Sequence, residues 1–485
     1  MSFQLSPDAD NTKIFLVNLS EVGGRLDPNF IKKSRLLKSI LANSQFSFQG
    51  FGNYIKNIQY GISQLANTEQ KGVPIIRMNN LQGDEWNFLD LKHIELTGKE
   101  LNLYRVNKGD LLFNRTNSKE LVGKCGVFRE EGDWGFASYL IRVQIDEKKL
   151  LPDFASTFLR LPVGRLQIDG LSRQIIGMTN INAEEIKLLQ IPIVPLDFQK
   201  QVVSRMDAAY DAKKQKEEEA QRLLDSIDDY LLSELGINLS EPEENTIQNR
   251  IFYRNLNEIT GDRIDPYPYQ NKFKYFEQVL KSMPIEVKKL KDIVSFFDYG
   301  LMPTQDYAFS EIDGLPMIRV TNIKSDGSVD MSDTKYIKFD TPRLYQKLVK
   351  ANDILMVQCG NTTGKCAFVT EEYEGYTFGS FSFAIRGNSN FVVQSYLFNI
   401  LSSVVVQEQL NRSLTTASVR PNTSKPDVLN FKIPLPCLQK QQEIANNITA
   451  IRTQAKQLRQ AAAAELEQAK QEVEAMILGE RGNKA

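Results

Sequence analysis

The sequence predicts an α+β chain made by tandem duplication: two similar globular domains separated by a pair of long antiparallel coiled-coil helices, with internal pseudo-twofold symmetry. Three observations carry this. Five separated phrases recur at a nearly constant offset, short apolar runs punctuated by turn residues fill the first part of each copy, and each copy then changes to a sustained heptad period.

The offset is the firmest of the three. GVPIIRMNNL from Gly72 returns as GLPMIRVTNI from Gly314, so that Pro74, Ile76, Arg77 and Asn80 correspond to Pro316, Ile318, Arg319 and Asn322 at a distance of 242 residues. GDLLF from Gly109 returns as NDILM from Asn352, and the GKC of Gly123 to Cys125 returns at Gly364 to Cys366. IPIVPLDFQKQVV from Ile191 matches IPLPCLQKQQEIA from Ile433, again 242 residues on, and RLDP at Arg25 finds RIDP at Arg263. A repeat unit of half the chain is a duplicated domain, not a solenoid of short units. The 485 residues accordingly divide into a first domain at 1–195, a long helix at 196–237, a second domain at 238–437 and a second long helix at 438–480.

Within a copy the strands come first. From Tyr54 to Ile145 the runs PIIRM, DLLF, GVF and ASYLIRV are separated by Gly, Asn, Asp and Lys, and Val294 to Ile385 repeats the pattern. One helix is expected at Pro152 to Ile168 and its counterpart at Val392 to Leu410.

After the proline pair Pro192 and Pro195 the period becomes helical. Val202, Met206, Ala209, Lys213, Lys216, Ala220, Leu223, Ile227 and Tyr230 occupy alternating steps of four and three, the a and d positions of a heptad. The same register gives Ile444, Ile448, Ile451, Ala455, Leu458, Ala462, Glu465, Ala469 and Glu472. Lysines in one seam and glutamates in the other predict antiparallel packing within the chain, Lys213 and Lys216 facing Glu465 and Glu472. Such helices, at 1.5 Å per residue, would be on the order of 55 to 60 Å long and would fix the distance between the domains.

Composition excludes several functions. With 59 Lys and Arg against 60 Asp and Glu the net charge is −1, so a nucleic-acid surface must come from local clustering. Cys125, Cys359, Cys366 and Cys437 lack zinc-site spacing, and His93 is the only histidine, so no metal is expected. The N-terminus shows no secretory pattern, and the most apolar window, Val392 to Val406, is broken by polar residues and too short to span a bilayer, so it is read as a buried helix and a cytoplasmic chain is expected. GNTTGKC from Gly360 lacks phosphate-loop spacing, no dinucleotide fingerprint follows a strand, and no Asn-Pro-Pro-Phe-like run offers a grip on a flipped base. No catalysis and no cofactor are expected.

What remains is donor-rich loop chemistry suited to base edges and phosphates. NRTNSK supplies Asn114, Arg115, Thr116, Asn117 and Lys119; its counterpart QCGNTTGK supplies Gln358, Asn361, Thr362, Thr363 and Lys365. The flanks agree while the loops differ, as they would if one scaffold read two targets. SRQIIGMTNIN from Ser172 adds Arg173 and Gln174, and NRSLTTASVRPNTS from Asn411 adds Arg412, Thr415, Thr416 and Arg420. Asn180 and Asn422, which coincide under the offset, are read as turn-holding residues. Arg77 and Arg319 fit either nucleic-acid contact or a structural ion pair.

The ordered pair of GDLLF and NDILM blocks, each followed by GKC and then by IPIVPLDFQKQ or IPLPCLQKQQ leading into a long helix, resembles the specificity subunit of type I restriction-modification systems. Asn352 departs from the usual glycine. The resemblance implies two target recognition domains on double-stranded DNA, each reading half of a split, asymmetric site, with the helices setting the spacer. It also implies two methyltransferase subunits that use S-adenosylmethionine, and restriction subunits that hydrolyse ATP, as partners that carry the chemistry. The competing expectation is a scaffold or protein-interaction module organised around the paired helices, with no DNA role.

Overall fold

The computed structural model describes residues 15–18, 27–82, 85–175, 177–239, 246–256, 259, 265–302, 307–414 and 421–479. The chain divides into two units, residues 1–217 with 459–485, and residues 218–458, so each unit takes one half of each long helix.

In the first unit a four-stranded antiparallel sheet runs in the order Ile55–Tyr60, Leu140–Ile145, Leu111–Asn114, Cys125–Val127. Both of its faces are covered, which explains why DLLF reads as an unbroken apolar run. Leu111 and Phe113 point to a core with Phe154, Phe158, Val202 and Val473, while Leu112 points to another with Ile76, Phe128 and Phe136. A second sheet pairs Val73–Ile76 parallel to Gly135–Phe136 and antiparallel to Lys92–Ile94. The second unit repeats the first sheet as Val294–Tyr299, Ser382–Gly387, Ile354–Val357, Cys366–Phe368. There Ile354 and Met356 face one core, and Leu355 and Val357 the other.

The two motif turns explain their own recurrence. Gly109 and Asn352 both have positive φ, 92° and 70°, a conformation that glycine adopts freely and asparagine tolerates, so the substitution keeps the turn. The following aspartates close it: Asp110 accepts the N–H of Asn107 at 2.9 Å and Asp353 that of Lys350 at 2.8 Å. Asp353, fully buried, is also gripped at both oxygens by Arg386, at 2.7 and 2.8 Å.

Each single helix expected before the proline entry is two helices. Pro152–Arg160 and Pro162–Leu171 meet at Leu161, which Pro162 holds extended (φ −67°, ψ 159°). Gln394–Ser402 and Val404–Ser413 meet at Ser403 in nearly the same conformation. A carboxylate from a long helix caps the second helix of each pair: Glu474 accepts the N–H of Val163 at 2.7 Å, and Asp228 that of Val404 at 3.2 Å. Two further helices, Pro28–Asn43, capped by Asp27, and Asn271–Ser282, had no counterpart in the sequence reading. Arg25 and Arg263 of the RLDP and RIDP phrases lie outside the described residues.

The long helices are Leu196–Leu235 and Leu438–Leu478. In the first unit Arg205 pairs with Glu472 and Lys216 with Glu465; in the second Tyr230 accepts from Asn447 and Glu234 pairs with Lys440. Rising numbers on one helix meet falling numbers on the other, so the pairing is antiparallel in each unit. Two details differ from expectation. Lys213 pairs with Glu217 on its own helix, and the cation at Glu472 is Arg205. The buried seam of the second helix runs Ala455, Ala462, Leu466, Ala469, Val473, Ile477, so Glu465 and Glu472 flank it one residue off. A step of four in place of three keeps a 3.6-residue helix facing its partner, and that places the glutamates where water still reaches them.

Candidate nucleic-acid interface

In each unit the backbone brings the two donor-rich segments together. Thr116–Asn117 forms a sheet with Met178–Asn180 and Arg173–Ile175, the register being Thr116 opposite Asn180 and Asn117 opposite Thr179. In the second unit Cys359 bridges Asn422, Gly360 donates to the carbonyl of Pro421 at 2.9 Å, and the Thr363 hydroxyl donates to Pro421 at 3.1 Å. Asn180, paired with Thr116, and Asn422, bridged to Cys359, thus hold corresponding places, each within its own unit.

One position is clamped alike in both units. Arg115 donates its backbone N–H to Tyr139 at 3.0 Å and accepts from Ile181 at 2.9 Å; Gln358 donates to Phe381 at 2.9 Å and accepts from Thr423 at 3.0 Å. The guanidinium of Arg115 stacks 4.8 Å from the centre of the Tyr60 ring and reaches Asn180 Oδ1 at 3.5 Å. The Gln358 amide donates to the Ser380 carbonyl. Beside this position each unit exposes an aromatic ring, Tyr139 at 48% and Phe381 at 54%. Behind it a tyrosine hydroxyl accepts the first N–H of a short helix: Tyr60 from Ala183 at 3.0 Å, and Tyr299 from Lys425 at 3.4 Å.

A family model described as the type I restriction modification DNA specificity domain matches residues 51–222 and again 283–468. The chain belongs to this family. Each match takes in one of the clamped positions together with its proline entry, so the family domain occurs twice. The chain is 26% identical over 192 residues to the type I restriction enzyme EcoKI specificity subunit of Escherichia coli strain K12, covering 39% of this chain and 41% of that one. It is 25% identical over 201 residues to the EcoBI specificity subunit of Escherichia coli, with the same coverage. Each match therefore spans about two fifths of the relative's length. Among solved structures, the type I restriction-modification S subunit from M. genitalium is 13% identical over 91% of this chain and 98% of that one, with a TM-score of 0.40.

The family scaffold divides the residues selected from sequence into three groups. Asn114 and Thr116 are buried, and the Asn114 amide donates to Leu121 at 3.3 Å within its own turn. Arg412 donates to the Pro268 carbonyl and pairs with Glu277 at 3.4 Å, and Thr363 is tied to Gly360 and Pro421. These side chains are engaged inside their units. Lys119, Arg173, Gln174 and Asn361 are exposed, Arg173 with its Nε on Glu185 at 2.8 Å. Arg115, Asn117, Gln358, Thr362 and Lys365 are partly exposed. Thr415, Thr416 and Arg420 lie outside the described residues.

Arg77 and Arg319 are ion-pair residues, each holding an aspartate at 2.8 Å, Asp90 and Asp333. Asn80 and Asn322, buried, close the same turn by accepting the N–H of Arg77 and Arg319. Sequence reasoning passed over Tyr139 and Phe381, although an aromatic pair separated by 242 residues was a visible signal. No group of three or more metal-ligating side chains occurs among the described residues, and no helix among them is long and apolar enough to cross a membrane.

Proposed function

We propose that this chain is the DNA-sequence-specificity subunit of a type I restriction-modification complex. Each family domain reads one half of a bipartite, asymmetric duplex site, and the paired helices set the distance between the halves. The chain acts in the cytoplasm and contributes recognition alone. Two methyltransferase subunits and the restriction subunits supply adenine methylation, ATP hydrolysis and cleavage. The observation that carries this reading is the clamped position: two domains of one family hold the same backbone geometry and present different side chains, as two readers of different half-sites must. The exposed Lys119, Arg173, Gln174 and Asn361, the partly exposed Lys365, and Thr415, Thr416 and Arg420 are the proposed phosphate and base contacts.

The test is methylome mapping of cells that carry the partner subunits with and without this chain. A two-part methylated motif that vanishes on deletion is the expected result. Methylation unaffected by the deletion would instead support a scaffold with no DNA role.

A further inference from the structure

Resting on that reading, we propose that Arg115 and Gln358 are the paired specificity-determining residues of the two units, Arg115 reading a guanine and Gln358 an adenine in the major groove. Three observations converge. The position is fixed to its neighbours at both backbone groups, on one side by Tyr139 or Phe381 and on the other by Ile181 or Thr423, with all four bonds between 2.9 and 3.0 Å. It directly follows a core strand, Leu111–Asn114 or Ile354–Val357, so it is carried by the most rigid part of its unit. And the matching backbones carry different side-chain chemistry there, a guanidinium against a carboxamide.

Other exposed donors lack this combination. Lys119 and Asn361 are turn residues, and Arg173 is committed to Glu185. Arg115 is held by one ring face and by one bond from a terminal nitrogen, and its Nε is buried without a hydrogen-bond partner, so the guanidinium is oriented through few of its donors and only its terminal nitrogens can meet a base. Gln358 spends one amide hydrogen on Ser380, which leaves the other and the carbonyl oxygen. Those are the groups that the base edges require. Arginine pairs with the two acceptors of guanine, and glutamine with the acceptor and donor of adenine. The exposed rings of Tyr139 and Phe381, common to both units, supply an apolar contact beside the reading position that does not depend on sequence.

The experiment is to express R115Q and Q358R singly with the cognate methyltransferase subunits and to map the methylated motif. Each variant is expected to change the accepted base at one position of one half-site, leaving the other half-site intact as an internal control of folding and assembly. An unchanged motif, or a change in both half-sites, overturns the proposal. Where a variant abolishes methylation, competition binding by the assembled complex against duplexes altered one base pair at a time replaces the map. Loss of discrimination of about 5- to 150-fold at a single pair supports the assignment, and weakening shared by all duplexes overturns it. Failure of the underlying DNA reading is separately visible, because the wild-type complex would then specify no motif.

Discussion

Gln199, at the start of the first long helix, accepts the backbone N–H of Leu151 at 2.8 Å and returns its own amide hydrogens to Lys149 and Val194. Gln441 does the same in the second unit, with Val393, Phe391 and Pro436. Both side chains are 1% exposed, and each ties the proline entry of the helix to the loop before the paired short helices. Replacing either with leucine strands buried backbone groups. Gln199→Leu and Gln441→Leu are each expected to cost on the order of 3 kcal/mol, measured by urea unfolding; a loss under about 1 kcal/mol would show that water replaces the amide.

The charges on the paired helices give weaker but selective coupling. Lys216–Glu465 and Arg205–Glu472 are all about a third exposed or more, so a double-mutant cycle should return about 0.3 to 1 kcal/mol for each. Charge reversal at Lys213 should couple to Glu217 and not to Glu472. Coupling of Lys213 to Glu472 would contradict the register.

Burial holds the carboxyl of Glu474 above its ordinary value, although the Val163 N–H works the other way. The folded chain then binds this proton more tightly than the unfolded chain, and the group's contribution to stability falls as pH rises from about 4.3 through the raised native value. Glu474→Gln should remove that decline. Urea midpoints of the two proteins from pH 4 to 7 should diverge in slope, and parallel curves would contradict the assignment.

Gly123 and Gly364 turn the GKC motif with φ of 81° and 90°. A methyl group on either would stand 2.4 Å from Ile168 Cγ2 or 2.2 Å from Leu410 Cδ2. Each alanine variant therefore combines backbone strain with overpacking and should lose about 2 to 4 kcal/mol in thermal or urea unfolding. A loss below about 1 kcal/mol would mean that the adjacent short helix moves away.

How far these features could be read from sequence depended on the physics behind each. Period and repetition were legible, because burial on both faces of a strand or along a helix seam leaves its mark in composition: Leu111, Leu112 and Phe113, or Val202, Met206 and Ala209. The break at Ser403 was not, since no proline announces it and its cap, Asp228, lies 176 residues away along the chain. The site was legible as a pair of loops whose flanks agree. Sequence could not separate Asn114, turned inward to Leu121, from Arg115, its neighbour, because adjacent strand residues point to opposite sides and only the fold says which side is solvent. Arg412 looked like a phosphate ligand until its partner Glu277, far away in sequence, was in place.

The account rests on two independent readers in one chain, and domain exchange tests it most directly. Residues 3–189 would be replaced by the corresponding segment of another family member of known motif, and the methylome mapped with the cognate partners. One half-site should change to that of the donor while the other half-site stays as it was. A change in both half-sites, or in neither, would contradict the account.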